Sequence, residues 1–272
     1  MTLGYGALLE ALAPAVRAAG ALIETIREAG HVTRHKADAS PVTEADEAAE
    51  LLLTAAIRAL DTAPIIGEEA HAGGYRPDAC ARFWLIDPLD GTKDFIAGRA
   101  AYSVNVALIE AGRPVLGLVL SPRDGTLWAG AQGHGAYCEA AGAARAQIFT
   151  RLRATPPTVV VSHSHLDDAT KAYLNALGLV TLEPAGSSLK FCRIAEGSAD
   201  LYPRYGTTCE WDTAAGHAVL LAAGGAMTGL DGQPFGYGKP DYINGAFLAV
   251  GDAASFDVFP TLQAASPSSG IA

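Results

Sequence analysis

Hydrophobic residues recur at helical spacing in the first part of the chain. They predict an amphipathic helix over 5–29 and a second helix over 44–60. The polar segment 31–42 between them ends in a Ser-Pro pair, which predicts a turn or a short hairpin. Thr43 can cap the second helix, and Asp46 stands where it can return the hydrogen bond of a capping box.

Short apolar runs bounded by glycine, proline and polar residues follow, and they predict β-strands. In the first half of the chain the runs suggest an antiparallel meander, with strands at 64–66, 83–86, 102–109, 115–120 and 126–130 and a further short strand around Tyr137. Beyond residue 157, strand and helix patterns alternate. The predicted strands there are 159–162, 179–183, 199–203 and 245–250, and the predicted helices are 166–177, 188–197, 211–223 and 251–264.

A change of composition over 141–157 predicts the boundary between two lobes of one catalytic unit. This segment begins rich in alanine and glycine and ends in two consecutive prolines, which interrupt regular structure. We expect an N-terminal α+β lobe at 1–145 and a C-terminal α/β lobe at 146–272. The tail over 265–272 is polar and small in composition, and we expect it to be frayed.

Composition and charge exclude several classes of protein. Half of the 272 residues, 50%, are hydrophobic, which is too many for a disordered chain. The formal net charge of −10 excludes a binder of nucleic-acid polymers, because such a binder needs a cationic face. Taken alone, the same charge also argues against an anionic substrate.

The cellular compartment follows from the cysteines and from the absence of sorting signals. The four cysteines are scattered without a Cys-x-x-Cys pair, which predicts free thiols in a reducing compartment. The sequence has no wholly apolar stretch of about 18 residues, so we predict no transmembrane segment. The N-terminus also lacks the basic region of a signal peptide. We therefore expect a cytoplasmic protein, with peripheral association with the inner membrane left open.

Acidic residues follow several of the predicted strands and precede one helix. Glu68 and Glu69 follow one strand, Asp87 and Asp90 follow another, and Asp212 opens a helix. Each has an ordinary alternative, since acids are common in solvated loops, in turns and at helix N-termini. Together they can converge at one edge of a sheet, where their repulsion would require a hard cation such as Mg²⁺.

The spacing around Pro88 strengthens the prediction of a metal and phosphate site. A tight bend at this proline would let Asp87, Asp90 and the Leu89 carbonyl face one point. Gly91 permits close approach of the backbone, and a helix that begins at about residue 92 would direct its first N–H groups to the same place. Metal ions on one side and free amides on the other would suit a phosphate ester.

Three motifs resemble the inositol monophosphatase superfamily of Mg²⁺-dependent, lithium-sensitive phosphatases. They are GEE at 67–69, WLIDPLDGT at 84–92 and EWDTAAG at 210–216, and their order and separation fit over nearly the whole chain. Further segments are most similar to the 3′(2′),5′-bisphosphate nucleotidase (CysQ-type) branch, namely TKDFI at 92–96, GSSLKF at 186–191 and DLYPR at 200–204. The resemblance implies a layered αβαβα sandwich, of the inositol monophosphatase and fructose-bisphosphatase type, with the site between its two lobes.

The resemblance also implies a set of metal ligands for two or three Mg²⁺ ions. Glu68, Asp87 and the Leu89 carbonyl would bind the first ion. Asp87, Asp90 and Asp212 would bind the second, so that Asp87 bridges the two. Glu68 would share a third, weaker ion through water, which gives it a catalytic role as well. With these ions bound, the acidic charge of the chain no longer argues against an anionic substrate.

Further residues are implied to bind substrate or to activate water. Gly91 and Thr92 would supply amides to the reacting phosphate, and the Thr92 hydroxyl, oriented by Asp46, would help activate water. Lys36 and Asp38 lie in a segment that runs near the metal site in relatives. A second, non-reacting phosphate would be held by Ser187, Lys190 and Arg204, and Asp212 is expected to contact the substrate as well as the metal.

The implied activity is hydrolysis of a phosphomonoester by metal-activated water. The expected substrate is 3′-phosphoadenosine 5′-phosphate, which would lose its 3′-phosphate to give AMP and so clear a by-product of sulfate assimilation. An inositol or sugar monophosphatase is the alternative, and a non-catalytic Mg²⁺ or phosphate sensor is a third hypothesis. The partner is then a small phosphate ester, and a homodimer is a further expectation.

Overall fold

The computed structural model describes residues 3–36, 41–78, 80–162 and 166–260. The α-helices in these ranges are α1 (Tyr5–Ala29), α2 (Glu44–Arg58), α3 (Glu68–Ala72), α4 (Thr92–Ile96), α5 (Asp168–Leu177), α6 (Leu189–Ala195) and α7 (Ala214–Ala222). Short 3₁₀ helices lie at Pro240–Tyr242 and Ala253–Asp257.

The β-strands form two large sheets and two small ones. In chain order the strands are β1 (Thr33–His35), β2 (Pro41–Thr43), β3 (Ile65–Gly67), β4 (Arg82–Asp90), β5 (Ser103–Glu110), β6 (Arg113–Ser121), β7 (Thr126–Ala131), β8 (Gly135–Glu139), β9 (Ala146–Ile148), β10 (Thr158–Ser162), β11 (Thr181–Ala185), β12 (Leu201–Arg204), β13 (Thr208–Cys209), β14 (Ala226–Gly229), β15 (Ile243–Asn244) and β16 (Phe247–Val250). The larger sheet has the order β3-β4-β5-β6-β7-β8-β9, and the second has the order β11-β10-β12-β16-β14. The pairs β1-β2 and β13-β15 stand apart.

The larger sheet contains the predicted antiparallel meander and one parallel pair. Strands β4 to β9 pair antiparallel with their chain neighbours. Strand β3 pairs parallel with β4, so that Gly67 lies opposite Ile86. Because parallel strands end at the same edge of a sheet, the residues that follow β3 and the last residues of β4 lie side by side.

The two faces of the larger sheet pack against different layers. In β4, Trp84 and Ile86 lie in a core with α1 and α2, whereas Phe83 and Leu85 face a second core. That second core includes α6, α7 and one face of the second sheet, and a third core joins α5 to the opposite face of that sheet. The order helix, sheet, helix, sheet, helix is the predicted αβαβα sandwich, and the apolar run of β4 reflects a strand that is buried on both sides.

Helix α1 supplies much of the first core. By length and composition it is the one helix within the described ranges that could cross a membrane. Its apolar side is instead packed against the larger sheet, where Leu8, Leu12, Val16 and Ile23 are at most 1% exposed. An apolar stripe that faces a sheet is typical of a core helix.

Several element boundaries differ from the sequence prediction. Helix α7 begins at Ala214 rather than at 211, because the preceding residues form a turn in which the Thr213 N–H donates to the Glu210 carbonyl. The predicted helix over 251–264 is wrong in the described part, which contains the short 3₁₀ helix Ala253–Asp257, capped by the Asp252 carboxylate.

Other differences are smaller. The predicted strand over 179–183 is displaced to β11 at Thr181–Ala185, and strands β9 and β14 were not predicted. The predicted hairpin between the first two helices is present as β1 and β2, although the predicted site residue Asp38 lies outside the described residues. The tail predicted to be frayed also lies outside them. The division into lobes at 1–145 and 146–272 stays a prediction.

Candidate active site

The four acids predicted as metal ligands line one cavity between the two large sheets, whereas Glu69 does not line it. Glu68 is the first residue of α3, Asp87 and Asp90 lie at the end of β4, and Asp212 precedes α7. The cavity has a volume of about 680 Å³, and its lining residues are Pro41, Glu68, Asp87, Leu89, Asp90, Gly91, Thr92, Lys93, Asp94, Arg99, Ser162, Gly186, Ser187, Thr207 and Asp212. The lining set therefore includes every predicted metal ligand.

The backbone at the end of β4 places its two aspartates on the same cavity. The pairing with β5 is irregular between Asp87 and Asp90, as the predicted bend requires, and the Leu89 N–H donates to Asp87 Oδ1 over 3.1 Å. Gly91 then adopts a left-handed conformation with φ of 97°. A Cβ atom at this position would lie 2.8 Å from the Ala101 carbonyl oxygen, so both the φ angle and the close approach require glycine.

The carboxyl groups raise one another's pKa. Loss of water contact raises the pKa of Asp87 well above its usual value, and the nearby charges of Glu68, Asp90 and Asp212 raise it further. The pKa of Asp212 is raised in the same way, again mainly by loss of water contact. Desolvation also raises the pKa of Asp90 to about 6, although Lys190 acts in the opposite direction. Such mutual repulsion is relieved when a cation is bound.

The donor chemistry of this cluster fits a hard divalent cation. Carboxylate oxygens and a backbone carbonyl are the ligands that Mg²⁺ prefers. Within the described ranges, however, no three acidic, histidine or cysteine side chains already have the spacing of a finished ligand set. Glu68 is paired instead with Lys36, whose Nζ lies 2.6 Å from Glu68 Oε1 and 2.7 Å from Glu69 Oε1. Lys36 thus partly compensates the charge of this end in the absence of a metal ion.

Asp46 links the start of α2 to the cavity. Its Oδ2 accepts hydrogen bonds from the Thr43 N–H over 2.8 Å and from the Thr43 hydroxyl over 2.7 Å, so the predicted capping box is confirmed. Its Oδ1 lies 3.1 Å from the Thr92 hydroxyl, which is also 3.1 Å from the Leu89 carbonyl. One oxygen of this buried carboxylate thus caps the helix, and the other orients Thr92.

A smaller cavity of about 180 Å³, called here the cationic end because Lys190 and Arg204 lie in it, adjoins the acidic end and shares the carboxylates of Asp90 and Asp212 with it. Both cavities are lined by Asp90, Asp212, Ser162, Ser187 and Thr207, and the smaller one also by Lys190, Phe191, Tyr202, Arg204, Thr208 and Thr213. The Lys190 side chain is buried, and its ammonium makes no hydrogen bond or ion pair with another described residue. Burial, opposed by the charge of Asp90, lowers the pKa of Lys190 to about 8.

The other two predicted residues of this cavity also have unused hydrogen-bonding capacity. The Ser187 hydroxyl is buried without a hydrogen-bond partner, in a residue whose φ is 46°. The guanidinium of Arg204 donates to the Gly206 carbonyl over 3.2 Å and makes no ion pair with a described carboxylate. A cation, a hydroxyl and a guanidinium around a small cavity are suited to an anion with several oxygen atoms.

Several residues of the site were not predicted. Asp90 Oδ2 accepts hydrogen bonds from the Ser188 N–H over 2.8 Å and from the Asn105 side chain over 3.4 Å. Thr207, in the loop after β12, and Thr208, the first residue of β13, line the smaller cavity. The pair Ser187-Ser188 was visible in the sequence, but which of its groups face the acids depends on the turn at Ser187 and could not be read there.

The layered fold and its carboxylate-lined cavity define a class of α/β phosphatases, and comparison with known proteins identifies the family. The chain belongs to the inositol monophosphatase family, whose sequence model matches residues 7–257. The 3′(2′),5′-bisphosphate nucleotidase CysQ of Escherichia coli strain K12 is 45% identical over 214 residues, which cover 78% of this chain and 86% of that protein. The relatives of the CysQ type thus agree with the branch predicted from the motifs.

Solved structures agree with this assignment. A CysQ from Bacteroides thetaiotaomicron, described as a bacterial member of the inositol monophosphatase family, superposes with a TM-score of 0.74 at 33% identity, covering 89% of this chain and 97% of that one. An inositol monophosphatase (IMPase) from Thermotoga maritima superposes with a TM-score of 0.77 at 22% identity, covering 94% and 97%. The second likeness supports the fold alone.

Proposed function

We propose that this protein is a 3′(2′),5′-bisphosphate nucleotidase that removes the 3′-phosphate of 3′-phosphoadenosine 5′-phosphate and releases AMP. The observation that carries the proposal is the pairing of two unlike cavities. An acidic end suited to a metal-bound reacting phosphate adjoins a smaller end that holds Lys190 and Arg204, and Lys190 makes no ion pair with a described carboxylate there. A substrate with two phosphates would use both ends, and the names of the CysQ relatives agree with such a substrate.

The metal would be held by the acidic end. Glu68, Asp87, Asp90 and Asp212, with the Leu89 carbonyl, would bind two or three Mg²⁺ ions. When bound, Mg²⁺ lowers the pKa of coordinated water and offsets negative charge on the transferring phosphoryl group. Asp90 and Asp212 come from opposite sides of the cavity, so that the ligand set would close only when the two large sheets hold these loops together.

The protein's own groups would orient the reacting phosphate and water. The amides of Gly91 and Thr92 would donate to the phosphate oxygens. The Thr92 hydroxyl can donate to Asp46, which leaves its oxygen free to accept a proton from the attacking water. Burial raises the pKa of Asp46, and this raised pKa makes its carboxylate a better proton acceptor.

The second phosphate would be bound at the cationic end. Lys190 and Arg204 would donate charge-assisted hydrogen bonds to it, and the unpartnered Ser187 hydroxyl would complete the contact. Burial lowers the pKa of Lys190 to about 8 despite the nearby charge of Asp90, and a bound phosphate dianion would compensate the desolvation of the ammonium. This end would have no function in an inositol or sugar monophosphatase, whose substrate has one phosphate.

A direct comparison of substrates tests the proposal. Initial rates would be measured with Mg²⁺ at equal, subsaturating concentrations of 3′-phosphoadenosine 5′-phosphate, 3′-AMP and inositol 1-phosphate. We expect the bisphosphate to be hydrolysed fastest, with AMP as the product. A preference for inositol phosphate, unchanged in Lys190→Ala, would overturn the proposal in favour of the alternative. Absence of turnover on all three, with Mg²⁺ bound, would favour a sensor.

We also propose a cytoplasmic enzyme that clears a by-product of sulfate assimilation and acts on a small phosphate ester. All four cysteines are free thiols, as a reducing compartment would require. A homodimer and peripheral association with the inner membrane belong to this proposal as well. Size-exclusion chromatography with light scattering, and fractionation of cell extracts, would test them.

A further inference from the structure

Ser188 joins the acidic loops from the two sides of the cavity. The residue is completely buried, and its backbone N–H donates to Asp90 Oδ2 over 2.8 Å. Its hydroxyl donates to the backbone carbonyl of Asp212 over 2.6 Å. One small side chain and its own amide therefore bond to the end of β4 and to the loop before α7.

The same residue lies inside the segment that carries the cationic end of the cavity. The preceding residue, Ser187, has a positive φ of 46°. The turn formed there directs the Ser188 N–H towards Asp90. Helix α6 begins at the next residue, and Lys190 is in its first turn. A displacement of Ser188 would move the Ser187 hydroxyl and the Lys190 ammonium together.

A third contact limits the freedom of this segment. Gly186 packs so closely against the loop before β5 that a Cβ atom would lie 2.5 Å from Ala101 Cβ and 2.6 Å from the Ala101 carbonyl. Gly91 also lies close to this carbonyl. The segment over 186–190 is thus held by close packing at one end and by the two hydrogen bonds of Ser188 in its middle.

We propose that Ser188 is a positioning residue that sets the distance between the two phosphate-binding ends of the cavity. The proposal rests on the proposed function, because it assumes that one substrate occupies both ends. Ser188 is not catalytic, since its polar groups are used on Asp90 and Asp212. A bisphosphate has a limited range of distances between its phosphates, so a small shift of Ser187 and Lys190 would keep its second phosphate from being bound while the first occupies the acidic end.

The experiment is a double-mutant cycle with Ser188→Ala and Lys190→Met, assayed on 3′-phosphoadenosine 5′-phosphate and on 3′-AMP. Ser188→Ala should lower kcat/KM for the bisphosphate about tenfold, mainly through KM, and should change the value for 3′-AMP less than twofold. In the Lys190→Met background, Ser188→Ala should have little further effect on kcat/KM, because the Lys190 ammonium that Ser188 positions is already absent.

Ser198→Ala is the matched control. The Ser198 hydroxyl also donates to a backbone carbonyl, that of Arg193, over 2.8 Å, but it lies at the far end of α6 and is exposed. This variant should retain wild-type constants on both substrates. Thermal unfolding of each variant would show that the fold is kept.

The outcomes separate this proposal from the proposed function. Equal losses on both substrates in Ser188→Ala, or additive losses in the double variant, would show a merely structural role and overturn the proposal. If the wild type does not prefer the bisphosphate, the proposed function fails, and this proposal fails with it because no single substrate would then occupy both ends. A preference for the bisphosphate combined with either of the losses above overturns this proposal alone.

Discussion

The acidic end of the cavity holds several carboxylates, the cationic end adds Lys190 and Arg204, and both differ from a buried carboxylate elsewhere in the fold. Asp200, directly before β12, accepts hydrogen bonds from Nε and Nη2 of Arg151 and from two backbone amides, and these bonds hold its pKa below the usual value. Asp90 and Asp212 have raised pKa values instead, and Lys190 has a lowered one. The protein compensates the buried charge of Asp200 with its own groups. The charges at the two ends of the cavity are not fully compensated in this way, and a bound ligand could compensate them.

The direction of the pKa shift separates acids that stabilise the structure from acids that are available for chemistry. Asp200 contributes stability, because its charge is fully compensated in the folded protein. The charges at the cavity reduce stability, because like groups are desolvated close together. Sites of this kind are typical of functional residues, whose cost is offset elsewhere in the fold. The predictions below test this contrast.

The largest effect is expected for Asp90→Asn. Removal of this charge should lower kcat about a thousandfold on every phosphate ester, because the amide cannot replace the carboxylate as a metal ligand or compensate the phosphoryl charge. The variant should fold and be at least as stable as the wild type without metal, since one repulsive charge is lost. Steady-state kinetics and thermal unfolding would measure the two effects.

Asp231→Asn is the control for this variant. Asp231 accepts an exposed hydrogen bond from the Gln233 N–H in a loop remote from the acidic cluster, so its loss should not change kcat. Near-normal turnover of Asp90→Asn in saturating Mg²⁺ would contradict the assignment of the acidic end.

Lys190→Met is expected to have the next largest effect, on the other end of the cavity. The value of kcat/KM for the bisphosphate should fall about a hundredfold, as expected for the loss of a buried charge-assisted bond of about 2–3 kcal/mol. The value for 3′-AMP should change less than twofold. Lys171→Met on α5, where the lysine is about half exposed, serves as the control. Similar losses on both substrates would mean that Lys190 serves the acidic end instead.

Lys36→Met tests a cation that already pairs with a predicted metal ligand of the acidic end. The Lys36 side chain is 11% exposed and touches both Glu68 and Glu69, so its loss should destabilise the metal-free protein by about 2 kcal/mol. Saturating Mg²⁺ should remove most of this difference, because Glu68 then has another cation. Denaturant unfolding with and without Mg²⁺ would measure it. Arg34 lies in β1, close to Lys36 in the chain, and makes an exposed ion pair with Glu47 of α2. Arg34→Met should show no comparable loss of stability. A loss that is the same with and without Mg²⁺ would contradict this prediction.

The sequence was sufficient to predict the layers of the fold and the set of acids. Long apolar runs such as β4 are unambiguous, because a strand buried on both faces has no polar alternation. The role of Asp46 in capping α2 depends on residues three positions apart, so it was readable locally. The motifs around Asp87 and Asp212 then indicated the family.

The other features of the site depend on contacts between segments that are distant in the sequence. Nothing local predicts that the Ser188 hydroxyl reaches the Asp212 carbonyl, 24 positions away, or that Lys36 pairs with Glu68 across 32 positions. The short 3₁₀ helix at Ala253–Asp257 resembles the start of a longer helix until its cap is seen. Tertiary geometry decides such features, and residue types alone do not specify it.

The smallest expected effect is a pH dependence of folding stability, which distinguishes stabilising from destabilising acids. Desolvation raises the pKa of Asp90 to about 6 from an ordinary value of 3.8, so the folded state binds the proton more tightly than the unfolded state. The stability that this acid contributes is therefore highest at low pH and is lost as the pH rises through 6. Buried His217, whose pKa burial lowers to about 3, acts in the opposite direction over the same range. The quantity to measure is thus the difference between the wild type and Asp90→Asn.

Without metal, Asp90→Asn should gain stability relative to the wild type as the pH is raised from 5 to 7.5, by a few degrees in Tm. The asparagine cannot ionise, so it avoids the repulsion that the wild type acquires above pH 6. Saturating Mg²⁺ should reverse the order at pH 7.5, because only the wild type gains the full binding energy of the ion. Scanning calorimetry at both pH values would measure this. A difference that does not depend on pH would mean that Asp90 is already compensated within the protein, as Asp200 is.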